Sequence, residues 1–332
     1  MTPGPEAIAE AVARLREGRL VAFPTETVYG LGADATNAAA VRAVFRVKGR
    51  PADNPLIVHV SEAAMARDAT AAWPKSAGAL ASAFWPGPLT LVLPKADAIP
   101  PEVTAGGPAV AVRMPDHALT LALIDAFGGP LVGPSANPSG YVSPTRPEHV
   151  REHFDEKLVL VLDGGPCRAG IESTVVDLTG ASPRVLRPGV IGAAQIEAVL
   201  EETVEAAAGA NEEPGPARSP GRAGAHYRPR TPVILTETIG QVHAALEAHT
   251  AGCVVLSPPG APLAVEPPHR SVAMPGDAEA YGSELYAALR EAAAAAPAAI
   301  VVALPTPQPG TPAEAAVWEA VLERLRRAAA IS

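Results

Sequence analysis

Short apolar runs recur through the first 200 residues: RLVAF, PLIVHV, LTLVLP, AVAVR, LVLVLD and STVVDL. Runs of four to six apolar residues bounded by Gly, Pro or charge are too short for core helices and suit buried strands. Helical spacing interrupts them in three places. PEAIAEAVARLREG sets Ile8, Val12 and Leu15 on one stripe, with Gly18 as a stop. NAAAVRAVFRVKG offers Asn37 as N-cap, Val41, Val44 and Phe45 inward, and Gly49 beyond the last turn. DHALTLALIDAFG reads as a third helix capped by Asp116. Strands outnumber helices and several are consecutive, which predicts an α/β chain whose residues 1–205 form an α+β mixed twisted sheet with helices packed against it.

That pattern dissolves between about Ala206 and Thr231, where AAAGANEEPGPARSPGRAGAHYRPRT is rich in Gly, Pro and polar residues without periodicity. Residues 206–232 therefore read as a linker. Beyond it, PVILT, a helix around QVHAALEAH, GCVVLS, SVAMP, a helix from Asp277 through Ala295, AIVVAL and a helix from Pro312 alternate in type. Such alternation predicts a small parallel, doubly wound Rossmann-like domain over 233–332.

A chain of 332 residues with 48% hydrophobic content has the length for two such domains. Its formal net charge of -9 gives no broad positive field, so any anion site must be local. Cys167 and Cys253 lie far apart without C-x-x-C spacing, which offers no zinc site and suits a reducing compartment. The N-terminus lacks a basic start followed by an apolar run, and no stretch of about 18 uncharged apolar residues occurs, so the expectation is a cytoplasmic protein without membrane attachment.

Three motifs invite other chemistry. In FPTETVYGLGADA, the run Gly30-Leu31-Gly32-Ala33-Asp34-Ala35 spells a dinucleotide-binding turn, but LVAF ends seven residues early and Pro24 intervenes. HVREH (His149 to His153) has inverted zinc-protease spacing, yet it reads as a solvated surface helix with two of the three ligands a zinc site needs. GPSANPSG has Asn137 where a nucleophile elbow needs Gly. No Walker A sequence and no metal-ligand set are present.

Four basic residues sit at ends of predicted elements: Lys48 and Arg50 in KGRPADNPLIVH, Arg113 closing AVAVR, and Arg187 in VLRPG. Each alone reads as a surface charge. Together they have the parts of a polyphosphate clamp, because guanidinium forks match phosphate oxygens and Lys adds a point charge. Hydroxyl and amide groups complete the set: Thr25, Thr27 and Tyr29; Ser135, Asn137, Ser139 and Ser143; Ser173 and Thr174. Turn chemistry explains several of them equally well. Donors and acceptors without an activated nucleophile suit a reaction whose substrates supply their own.

PTETVYGLGADA, KGRPADNPLIVHV, VAVRMP, GPSANPSG, STVVD and VLRPG, in this order, resemble the YrdC-type L-threonylcarbamoyladenylate synthases, and SPGRAGAHYRP resembles the linker of their long two-domain form. The resemblance implies synthesis of threonylcarbamoyl-AMP and pyrophosphate from L-threonine, bicarbonate or CO2, and ATP, with Mg2+, towards threonylcarbamoyladenosine in tRNA. It implies that Thr27, His59, Arg113 and Ser173, with the backbone at Gly133, hold L-threonine. Arg50, Asn54, Ser135, Ser143, Arg187 and Tyr227 would hold ATP, with Lys48 joining Arg50 as the catalytic pair of the phosphate clamp. His59, at the end of an apolar strand, reads equally as a buried structural histidine. Downstream tRNA-modification transferases are the implied partners, with at most a weak contact to tRNA itself. The linker departs from the family's pattern at Arg222 to Ala225 and at Arg228, which bears on its expected closure over the nucleotide as a lid. Two other classes stand beside this reading: a non-catalytic RNA-binding module, which the acidic chain disfavours, and a carbamoyltransferase, whose cysteine-rich zinc region this chain lacks.

Overall fold

The computed structural model describes residues 4–206, 227–258 and 262–330. The chain runs α1 (Pro5–Arg16), β1 (Leu20–Phe23), β2 (Gly30–Asp34), α2 (Ala38–Lys48), β3 (Ile57–His59), α3 (Ala63–Asp68), α4 (Lys75–Phe84), β4 (Leu89–Pro94), β5 (Ala109–Arg113), α5 (Ala118–Phe127), β6 (Leu131–Val132), α6 (Pro147–Arg151), β7 (Val159–Val161), β8 (Thr174–Asp177), β9 (Arg184–Arg187), α7 (Ala193–Leu200) and β10 (Glu205–Ala206). It continues with β11 (Val233–Thr236), α8 (Ile239–Ala248), β12 (Cys253–Ser257), β13 (Arg270–Ala273), α9 (Ala278–Ala294), β14 (Ala299–Ala303) and α10 (Pro312–Ala329).

The strands up to β10 join one sheet in the order β10-β9-β8-β4-β5-β3-β6-β2-β1-β7, with parallel and antiparallel pairs, so the expected mixed sheet is present. The two-residue period sorts its side chains. Leu20 and Ala22 enter the core beneath α2, while Val21 and Phe23 pack with Leu15 of α1 and Leu123 of α5. Helix ends follow local chemistry: Asn37 caps α2 by accepting from the amides of Ala39 and Ala40, and Gly49 closes it at φ 60°. Asp116 does not cap α5. His117 holds the N-cap position, and Asp116 pairs instead with Arg168.

The second sheet, β11-β14-β12-β13, is wholly parallel. Along β14, Ile300 and Val302 face α9 and α10, whereas Ala299, Val301 and Ala303 face Val242 and Leu246 of α8. Burial on both faces makes this the doubly wound arrangement. Of the expected linker, residues 207–226 lie outside the described residues, and with them Arg222 to Ala225.

The two sheets share a core. Val28, Val142 and Ile171 of the first part cluster with Tyr281, Leu285 and Leu289 of α9 and with Val317, Val321 and Leu325 of α10. Backbones meet directly at Gly170, where an added Cβ would lie 2.4 Å from the Cα of Ser283. HVREH belongs to this junction. His149 is buried and accepts from the amide of Thr145, and Arg290 of α9 donates to Glu152 and lies 3.2 Å from Nε2 of His153. The expectation of a solvated surface helix holds at the exposed Arg151 and Glu152 and fails at the buried His149 and Val150, and a helix more than a hundred residues away meets its end through Arg290.

Candidate active site

The FPTETVYG stretch departs from a strand for a local reason. Thr25 turns the chain, its hydroxyl accepting from the amides of Thr27 and Val28 and donating to the carbonyl of Val28. The chain then re-enters the sheet as β2, so Gly30 and Gly32 lie in a strand antiparallel to β1 and not in a phosphate-binding turn. Their lack of a side chain admits Phe23. A Cβ at Gly30 or Gly32 would come within 2.8 Å of its ring, and one at Gly133 within 2.6 Å of its Cζ. The fully buried Phe23 ring thus lies against three glycines and meets His59 edge-on at 5.4 Å.

Beside this floor is a hollow open to solvent. It brings together Thr27, Arg50, His59, Arg113, Gly133, Ser135, Ser173, Arg187 and Tyr227 from the expected set. Sheet register explains part of this convergence: β3 and β5 are parallel with His59 directly opposite Arg113, and the bridge between Gly30 and Ser135 brings GPSANPSG alongside β2. Lys48, Asn54 and Ser143 are buried but do not line the hollow. Lys48 reaches the back of the GPSANPSG loop, its Nζ donating to the carbonyls of Ser135 and Asn137 at 2.5 Å each. Asn54 holds Arg50, accepting from Nε at its carbonyl (2.9 Å) and from Nη2 at Oδ1 (2.5 Å). Ser143 donates to Glu172 (2.6 Å).

Each cation is braced. Arg113 donates to the Gly87 carbonyl (3.1 Å) and Thr27 Oγ1 (2.9 Å), and pairs with Glu26 at 2.7 Å in a buried ion pair. Arg187 donates twice to the Ser173 carbonyl and once to its hydroxyl (3.1 Å), which also bonds Thr90. Burial lowers Arg50 to about 10, with neighbouring Arg187 adding to the shift, so Arg50 stays charged at neutral pH. Burial, and then Arg50, lower Lys48 well below the usual lysine range. Burial and Arg113 bring His59 down to about 3, so its imidazole is neutral. Its buried Nδ1 has no hydrogen-bond partner among the described residues.

Two carboxylates escaped the sequence reading: Glu172, which lines the hollow, and Glu26, which pairs with Arg113 behind it. Each adjoins a residue that was singled out, and a charge inside an otherwise hydroxyl-rich or apolar run is the signal that could have found them. Glu172 Oε1 accepts from Ser143, while Oε2 accepts from Tyr286 of α9 (2.8 Å) and Arg324 Nε of α10 (3.0 Å). Burial pushes its carboxyl up, but Arg324 and Arg187 outweigh that and hold it at about 2. Tyr227, at φ +62°, stacks on Tyr286 at 5.6 Å, and Arg324 lies over its ring at 5.2 Å. No group of three metal-ligating side chains occurs among the described residues, and no described helix is long and apolar enough to cross a membrane.

Such a hollow, cationic yet braced by two carboxylates, can bind a small zwitterion beside a polyanion. Residues 13–189 match the Sua5/YciO/YrdC family model, described as "Telomere recombination", and residues 191–330 match "Threonylcarbamoyl-AMP synthase, C-terminal domain". Among curated proteins, the threonylcarbamoyl-AMP synthase of Bacillus subtilis is 49% identical over 231 residues, covering 69% of this chain and 66% of that protein. The Pyrococcus abyssi protein of the same name is 48% identical over 67% of this chain and 66% of its own length. These alignments span about two thirds of the relatives' length. The crystal structure of P. abyssi Sua5 complexed with L-threonine superposes with a TM-score of 0.87 at 37% identity, covering 97% of this chain and 94% of that one.

Proposed function

We propose that this chain, which belongs to the Sua5/YciO/YrdC family and carries that family's synthase-type C-terminal domain, makes threonylcarbamoyl-AMP and pyrophosphate from L-threonine, bicarbonate or CO2, and ATP. The observation that carries this reading is the convergence of Arg50, Arg113 and Arg187 with Thr27, His59, Ser135 and Ser173 around one hollow. Residues 1–205 would form the catalytic part, 206–232 the linker and 233–332 the C-terminal domain.

Arg113 has five N–H donors, of which Gly87 and Thr27 engage two, while Nη2 lies beside Glu26 as an ion pair without a hydrogen bond, so donors remain for the threonine carboxylate. His59 would face the amino acid without adding a cation that opposes its ammonium group. The amine, having lost its proton, bonds to CO2 and releases a second proton as the carbamate forms. A carbamate oxygen then bonds to the α-phosphorus while the bond to pyrophosphate breaks. Charge on the transferring and leaving phosphates would be offset by Arg50 and Arg187, fixed in advance by Asn54 and Ser173. Lys48 would act on this site by holding the carbonyls of Ser135 and Asn137, and Tyr227 and Ser143 by shaping the far wall.

The residues do not fit a protein-held Mg2+, since Glu26 and Glu172 are both engaged by arginines. The metal would enter with the ATP phosphates. The unstable product calls for a transferase that moves the threonylcarbamoyl group to a tRNA adenosine, in the same cytoplasmic compartment. Pyrophosphate release with each substrate omitted in turn tests the reading. Release should require all three, and Arg50→Ala should lower it at least about a hundredfold with little change in melting. Release independent of L-threonine, or RNA affinity with a steep salt slope and no turnover, would exclude it.

A further inference from the structure

The C-terminal domain is joined to the hollow by more than apolar packing. Arg324 on α10 is fully buried and bridges two loops of the catalytic part, donating from Nε to Glu172 (3.0 Å) and from Nη2 to the Pro188 carbonyl (3.0 Å). Those two positions immediately adjoin Ser173 and Arg187, which line the hollow and bond to each other. Their backbones are in contact: a Cβ on Gly189 would lie 2.4 Å from the Thr174 amide nitrogen and 2.8 Å from the Glu172 carbonyl oxygen. One side chain from 152 residues away therefore clamps both ends of the segment pair that presents Ser173 and Arg187. Tyr286 of α9 adds a second hold on the same carboxylate and stacks on Tyr227.

We propose that Arg324 and Tyr286 are positioning residues of the active site, acting through Glu172 and Pro188 to set Ser173 and Arg187, so that the C-terminal domain is a fixed part of the binding site. This deepens the adenylate-forming reading and rests on it for its kinetic consequences. A domain that acted only as a closing cover would have no need of a buried ion pair in its contact surface. Such a pair costs desolvation and is kept where geometry must be specified.

The ionisable groups facing Glu172 are Arg187 on β9, Tyr227, Tyr286 on α9, and Arg324 with its neighbour Glu323 on α10. Arg324 is the largest favourable influence on the carboxylate. Removing it leaves a buried carboxyl whose charge is disfavoured, and that gives a readout which a general loss of stability does not.

The test compares Arg324→Met, Arg324→Lys and Tyr286→Phe in the full chain, by pyrophosphate release, melting, and amide exchange without substrate. Arg324→Met should raise KM for ATP or lower kcat at least about tenfold, and its activity relative to the unaltered chain should climb as pH rises and Glu172 ionises. Arg324→Lys should restore part of this. Tyr286→Phe, which keeps the ring, should lose about threefold, with melting lowered by no more than a few degrees. Amides 172–175 and 184–189 should exchange faster in both Arg324→Met and Tyr286→Phe. A folded Arg324→Met with unaltered kinetics at every pH would overturn the proposal. If Arg324→Met does not fold, unaltered kinetics or unaltered exchange in Tyr286→Phe would do the same. Should the unaltered chain release no pyrophosphate, the adenylate-forming reading falls, while the exchange measurement still decides whether the two residues set this wall.

Discussion

Gly133→Ala adds a single methyl, and the structure supplies its consequences. The new Cβ would stand 2.6 Å from Phe23 Cζ and 2.7 Å from His59 Nδ1, closer than carbon and nitrogen atoms pack. Neither neighbour has room to withdraw, because Phe23 is fully buried and His59 is 2% exposed. Overpacking of a rigid core costs about 1–3 kcal/mol. With unfolding entropy near 2.1 cal/mol/K per residue over the whole chain, about 2 kcal/mol corresponds to a fall of about 3 °C in Tm. The effect on ligand binding should be larger in proportion, since the displaced groups form the floor of the hollow, and L-threonine affinity by calorimetry should drop at least about tenfold. A second substitution separates steric clash from other causes. Phe23→Leu removes the ring atoms that the methyl meets, so the double variant should be less destabilised than the two single changes added together, by about 1 kcal/mol. Gly133→Ala with unaltered melting and unaltered threonine affinity would refute the argument that the glycines exist to seat Phe23.

Glu26→Ala should destabilise the chain by about 3–5 kcal/mol in urea titration, because it strands Arg113 as a buried cation, and Glu26→Gln should cost less. Acid should weaken the fold through His59. Below its unfolded value of about 6.5 the unfolded chain gains a proton that the folded chain refuses until about 3, so stability is fully present above pH 6.5 and falls as pH drops, by about 2 kcal/mol at pH 5. His59→Gln should flatten that slope in a pH series of urea melts. Truncation after Ala206 should yield a poorly soluble, inactive product, since it bares Val28, Val142 and Ile171; a soluble, active fragment would show that the shared core is dispensable.

The legibility of the chain divides by range. Asn37 and Gly49 announced their helix correctly because capping is settled within four residues. Asp116 misled because Arg168 supplies a charged partner 52 residues away. HVREH looked solvated throughout because the partner of its last two residues, Arg290 of α9, is 138 residues from Glu152. The hollow was read residue by residue, yet Lys48, Asn54 and Ser143 stand behind its wall, each holding a backbone or side chain that lines it. Type and rough position were visible for these residues; which face they present was not.

Short unbroken apolar runs determined the strands, and the alternation of strand-like and helix-like segments beyond residue 232 determined that a second, parallel sheet would follow. Backbone sterics and burial act over a few residues, so they are written locally. The pairing of Arg113 with Glu26, the seating of Phe23 against three glycines, and the grip of Arg324 on Glu172 were decided only when the sheet closed. Each joins groups whose mutual attraction has no effect until distant segments are within a few ångströms of one another.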